Sequence, residues 1–159
     1  MNDECNIPAP YAHQKSTTDF IVNTKTCLIT SDPGTGKTRA VLDAHAILGG
    51  KTLVLAPLSI LEAAWGEDIS KFQPDIKYGV AYAKNRKQIF EDSENEMVIT
   101  NFEAVNFLQK NPQYCEQFDT IVIDEFTAFK NRQAKRSKNL SKIISYFTNR
   151  IAMSGTPNS

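Results

Sequence analysis

Short apolar runs alternate with amphipathic stretches along almost the whole chain. The runs are Thr26–Thr30 (TCLIT), Thr52–Ala56 (TLVLA), Met97–Thr100 (MVIT), Thr120–Asp124 (TIVID) and Arg150–Ser154 (RIAMS), with a weaker one at Lys77–Ala83. They are continuous rather than alternating, which marks strands buried on both faces. Between them lie segments with helical spacing. Tyr11–Val22 has Phe20 and Ile21 as its expected core contacts, and Lys37–Leu48 carries Ala40, Val41, Ala44 and Ile47 on one stripe. Further helices are expected from Ser59 to about Phe72, and over Asn85–Phe90, Glu103–Gln109 and Ser137–Phe147. Gly49-Gly50 ends the second helix, and Pro57 stops the second strand. Ser59, with Glu62 three residues on, has the form of a capping box.

Strands of this kind alternating with helices predict an α/β fold, a mainly parallel sheet covered by helices on both faces. Ligands in such sheets bind beyond the carboxyl ends of the strands. The short motifs of this chain fall at those ends, after Thr30, Ala56, Ile99, Ile123 and Met153.

The strongest of them is TCLITSDPGTGKT, residues 26–38: a strand, a Pro/Gly-rich turn, then a helix. That context fits a phosphate-binding loop, or P-loop. Gly34 and Gly36 allow a fold tight enough for successive N–H groups to face a phosphate, along a nucleotide-binding stretch of Asp32, Pro33, Gly34, Thr35, Gly36, Lys37 and Thr38. Lys37 would reach the terminal phosphates of ATP, and the Thr38 hydroxyl would hold Mg²⁺. The pattern usually begins with Gly, where this chain has Ser31. A Gly-rich turn between strand and helix can be purely structural, but here both flanking elements are in register. IVIDEF (121–126) ends another apolar run in two carboxylates. Asp124 is placed to ligate Mg²⁺, and Glu125 to orient and deprotonate an attacking water. An acidic loop after a core strand is the bland alternative, and nucleotide binding without hydrolysis is a second.

Composition narrows the setting. At 159 residues the chain is one domain in size, with 41% hydrophobic and 23% charged residues. It has no apolar run of the roughly 18 residues needed to span a membrane, and its polar, acidic start is no secretory signal. Cys5, Cys27 and Cys115 fit neither a disulfide framework nor a zinc site, so a reducing cytoplasm is expected. Net charge is zero, but seven of the 18 basic residues lie beyond Phe126, where there is no Asp or Glu. That basic segment suits a phosphate backbone and equally a solvated helix face.

Read in order, AHQ (12–14), SDPGTGKT (31–38), LVLAPLSIL (53–61), VITNFEAV (98–105), IVIDEFTAFKN (121–131) and RIAMSGTP (150–157) resemble the first RecA-like lobe of a superfamily 2 helicase. APLSIL, the Lys-Asn after Asp-Glu, and SGTP are similar to the Swi/Snf-type branch of DNA translocases. The resemblance covers nearly the whole chain. It implies a RecA-like three-layer sandwich over residues 1–159, and an ATP-dependent helicase or translocase acting on DNA rather than RNA. It implies that Gln14 reads adenine, a role an amide suits because it both donates and accepts. It also implies that Pro57, Leu58, Ser59, Thr100 and Asn101 grip the nucleic-acid backbone, beside Lys130, Arg132, Lys135 and Arg136. Ser154, Gly155 and Thr156 would couple nucleotide state to movement. Trp65 reads as core on its helix rather than as a platform for a base.

Two departures stand out. Asp-Glu is followed by Phe-Thr where many relatives have a small polar residue or His fourth, and Phe126 adds bulk expected near the phosphates. With no chromatin-type insertion, the chain looks like a compact bacteriophage or bacterial version, in the host cytoplasm if from a bacteriophage. The family motor needs a second RecA-like lobe carrying arginine fingers, and no candidate with that context appears before Ser159. Weak nucleotide binding and slow or absent hydrolysis are therefore expected of these residues alone. The rivals are a non-catalytic nucleic-acid-binding module and another P-loop enzyme such as a small kinase, although no Arg-rich lid is evident.

Overall fold

A computed structural model describes residues 9–30, 36–126 and 134–154, with the side chains of residues 30 and 134–136 left aside. Six strands form one all-parallel sheet: β1 (Thr26–Thr30), β2 (Thr52–Leu55), β3 (Tyr78–Ala81), β4 (Met97–Thr100), β5 (Thr120–Ile123) and β6 (Asn149–Ser154), in the spatial order β1-β6-β5-β2-β4-β3. The helices are α1 (Ala12–Asn23), α2 (Lys37–Leu48), α3 (Glu67–Phe72), α4 (Arg86–Glu91), α5 (Ala104–Lys110) and α6 (Ala134–Ile143).

The winding follows from the handedness of parallel crossovers. The chain steps from β1 through β2 to β3 in one direction, then returns through β4 and β5 to β6. Right-handed connections put the outward helices on one face and the returning ones on the other. The two cores agree. Val54, Ile99, Val122 and Met153 pack with Val41, Leu42, Leu61, Trp65 and Ile69. Their strand neighbours Leu53, Leu55, Ile121 and Ile123 pack on the opposite face with Phe90, Val105, Leu108, Leu140 and Ile143. Successive strand residues point to opposite faces, which is why these runs are apolar throughout.

Three expectations are corrected. Phe20 is 50% exposed: α1 packs against α2 through Gln14, Thr18 and Ile21, and the Thr18 hydroxyl donates to Ala40 O at 3.0 Å. Ile47 is 62% exposed, because the buried part of α2 ends at His45, whose Nδ1 lies 2.7 Å from Thr52 Oγ1. The capping box at Ser59 is not formed. A 3₁₀ turn (Leu58–Ile60) leads into a π turn (Leu61–Gly66) and then α3, while Glu62 Oε1 accepts from the Tyr78 hydroxyl at 2.8 Å. Leu61, Trp65 and Ile69 are all buried, at a spacing of four. On an α-helix that spacing drifts by about 40° per step, and the wider π turn absorbs the drift.

Candidate functional site

Lys37, at the first position of α2, reaches the neighbouring strand end: its Nζ donates to Ser154 O at 2.9 Å. β1 and β6 are paired with Thr30 opposite Ser154, so the start of the helix and the start of the SGT segment converge on one edge of the sheet. Gly36, just before α2, has φ 79, in the left-handed region. A Cβ there would lie 1.8 Å from Gln14 Nε2, so an alanine would have to displace that amide as well as hold a left-handed backbone. Gln14 is buried and held at both ends of its amide. Its Oε1 accepts from Tyr11 N–H at 2.8 Å, and its Nε2 donates to Gly36 O at 3.4 Å. The implied nucleotide-reading glutamine thus stands against the end of the phosphate loop.

Asp124 follows β5 directly, and its backbone N–H donates to Leu55 O at 2.7 Å. The side chain is buried on the α3 face, where Oδ2 accepts from Trp65 Nε1 at 2.9 Å. Burial pushes its carboxyl above the usual carboxylate range. The indole N–H pulls it back, the Glu125 charge pushes it up, and the Lys37 ammonium pulls it down. Asp124 meets Trp65, whose cluster also takes in Val41 and Leu42 of α2, the helix that Lys37 opens. Glu125 adopts φ 56, a left-handed backbone uncommon outside glycine, which Ala83 (φ 52) shares. Phe126 corrects an expectation: it packs against the cluster of Leu53, Ile121 and Leu140, on the face away from Trp65 and Asp124, so its bulk enters the core.

Thr38 lies half-buried in the first turn of α2. Among the described residues no three His, Cys, Asp or Glu side chains cluster as a metal cage. The donors on offer are one carboxylate and one hydroxyl, which suits an ion like Mg²⁺ that takes one or two protein ligands and fills the rest with water and phosphate.

Pro57, Leu58 and Ser59 turn away from the end of β2, with Leu58 exposed. Thr100 is fully buried and its hydroxyl donates to Ala81 O, so this side chain belongs to the sheet rather than to its surface. Beside it, Asn101 Oδ1 accepts from Arg86 Nη2 at 2.9 Å, and the Arg86 guanidinium lies 5.8 Å from the Phe107 ring. Asp32, Pro33, Gly34, Thr35, Lys130, Arg132, Gly155 and Thr156 lie outside the described residues, as do the side chains of Lys135 and Arg136 in the first turn of α6. Sequence reasoning missed Arg86 and the role of Trp65 beside Asp124. No helix among the described residues is long and apolar enough to cross a membrane.

The geometry has close counterparts. A Sulfolobus solfataricus SWI2/SNF2 ATPase core in complex with dsDNA superposes with a TM-score of 0.77 at 26% identity, over 96% of this chain and 33% of that one. The UvsW helicase of bacteriophage T4 superposes at 0.70 over 93% of this chain and 53% of its own, with 17% identity, a likeness of fold alone. In sequence, the chromatin-remodeling ATPase INO80 of Aspergillus fumigatus is 30% identical over 151 residues, 82% of this chain and 8% of that protein. The ATP-dependent helicase FUN30 of Saccharomyces cerevisiae is 29% identical over 154 residues, 85% of this chain and 13% of that one. The chain thus spans about a tenth of the curated relatives it matches and about a third of the SWI2/SNF2 core. These relatives bear out the Swi/Snf-type resemblance and the RecA-like fold, and lend no support to a bacteriophage or bacterial origin. The DEAD/DEAH box helicase family matches residues 11–159, almost the entire length, and the chain belongs to that family.

Proposed function

We propose that this chain is the ATP-binding first RecA-like lobe of a DNA-dependent ATPase that translocates on, or unwinds, duplex DNA together with a second RecA-like lobe. The reading is supported by the bond from Lys37 Nζ to Ser154 O, at the ends of β1 and β6, and by the place of Asp124 just after β5, the strand beside β6. Lys37 would neutralise the terminal phosphates of ATP. Thr38 and Asp124 would hold Mg²⁺, which when bound supplies charge neutralisation and orientation of the phosphates. Glu125 orients the attacking water and takes its proton. Because Lys37 Nζ already bonds Ser154 O, the residue that meets phosphate also touches the segment read as coupling, Ser154, Gly155 and Thr156. Pro57, Leu58, Ser59 and Asn101, with Lys130, Arg132, Lys135 and Arg136, would contact the DNA backbone through loops and basic side chains.

The test has two arms. The 159-residue chain should bind Mg²⁺ with a non-hydrolysable ATP analogue, and Lys37→Ala should abolish that binding. Joined in cis to its second lobe, it should hydrolyse ATP faster with duplex DNA, and Glu125→Gln should abolish turnover. A joined protein that stays inert with DNA and with RNA refutes the motor. Binding that survives Lys37→Ala refutes the site.

A further inference from the structure

Trp65 and Asp124 are 59 residues apart in sequence, yet the buried indole Nε1 donates to the buried carboxylate Oδ2 at 2.9 Å. We propose that Trp65 is a positioning residue of the nucleotide site, whose N–H fixes the Asp124 carboxylate. The inference rests on the reading of Asp124 as a Mg²⁺ ligand. An indole N–H can only donate, so it holds Oδ2 in place, and the Glu125 backbone N–H also donates to the carboxylate. Removing a group that orients a metal-binding carboxylate commonly costs about 10–100-fold in metal affinity or activity. The indole cannot swing. It is wedged in the cluster of Leu61, Ile69 and Val122, on a π turn of the kind that recurs at functional sites. That turn is continuous with the Leu58–Ile60 turn after Pro57, so the carboxylate and the proposed DNA-contacting loop share one rigid support.

A purely structural Trp65 would serve as well with any ring of similar size, and this separates the two roles. Trp65 is the only tryptophan in the chain, so a ¹⁵N–¹H spectrum has a single indole peak. That peak should move on saturation with Mg²⁺ and a non-hydrolysable ATP analogue, and move less with the analogue in EDTA. Trp65→Phe should weaken Mg²⁺-dependent analogue binding by about 10–100-fold, with binding in EDTA unchanged. Replacing the tryptophan with 3-benzothienylalanine, which keeps the fused ring and lacks the N–H, should give the same loss. It decides the matter if Trp65→Phe does not fold. An indole peak that stays fixed at saturation, or a benzothienyl protein that binds within twofold of the unmodified chain, overturns the proposal. If the unmodified chain binds no Mg²⁺-nucleotide at all, the reading of the site fails and this inference with it.

Discussion

Gly36→Ala tests whether Gln14 and the end of the phosphate loop are a fitted pair. The substitution meets two obstacles. With φ at 79 the backbone is left-handed, which costs an alanine about 1–2 kcal/mol. The new methyl would lie 1.8 Å from Gln14 Nε2 and 3.0 Å from its Cδ, so the amide must move. Moving it loses the 2.8 Å bond from Tyr11 N–H and the longer 3.4 Å bond to Gly36 O, each worth about 0.5–1.5 kcal/mol net. Together the loss is about 2–5 kcal/mol, or roughly 4–20 °C in Tm for a chain of this size. Urea denaturation of the wild type, Gly36→Ala, Gln14→Ala and the double variant closes the cycle. In the double variant the obstructing amide is gone, so its loss should fall short of the sum of the singles by at least about 0.5–1 kcal/mol. A Gly36→Ala chain within about 0.5 kcal/mol of wild type, or a strictly additive cycle, would show that the glycine is not demanded by Gln14.

Other outcomes follow from the same structure. Leu42 is fully buried between α2 and the sheet, so Leu42→Ala should cost about 2–5 kcal/mol in urea denaturation. Burial holds the His45 imidazole below its ordinary value, outweighing the pull of Glu96. The unfolded chain then binds a proton that the native chain does not, so stability should fall as pH drops below about 6.5. His45→Gln should flatten that slope, and a steeper slope in the variant would contradict the account. Burial pushes the Cys115 thiol up to about 12, so maleimide at pH 8 should label Cys115 only as fast as the chain unfolds. Peptide mapping of the labelled site against urea gives the comparison.

Most of the sheet was legible because its strands carry their own signature. TLVL, MVIT and TIVI are apolar on both faces and lie where the sequence put them, as do β1 and the whole of α2, which ends at Gly49. What hydropathy could not give was contact with a polar character. The buried stripe of α1 is Gln14, Thr18 and Ile21, two polar residues in three, so Phe20 drew the eye instead. The Ser59 box failed because its pattern ignores the packing of Leu61, Trp65 and Ile69, which the π turn satisfies. Lys37, Asp124 and Glu125 stood out as chemistry attached to strand ends. The bond between Trp65 and Asp124 had no local signal: it exists only because β2 and β5 are neighbours.

The contact between Lys37 and Ser154 spans 117 residues of chain. β1, made first, finds its described neighbour only in β6, made last. Closing so long a loop is slow, and its reward arrives at the end of folding. A ribosome-bound or truncated polypeptide lacking the final strand would have the glycine-rich stretch in hand but nowhere to seat it. Seating of that stretch would then wait for the sixth strand.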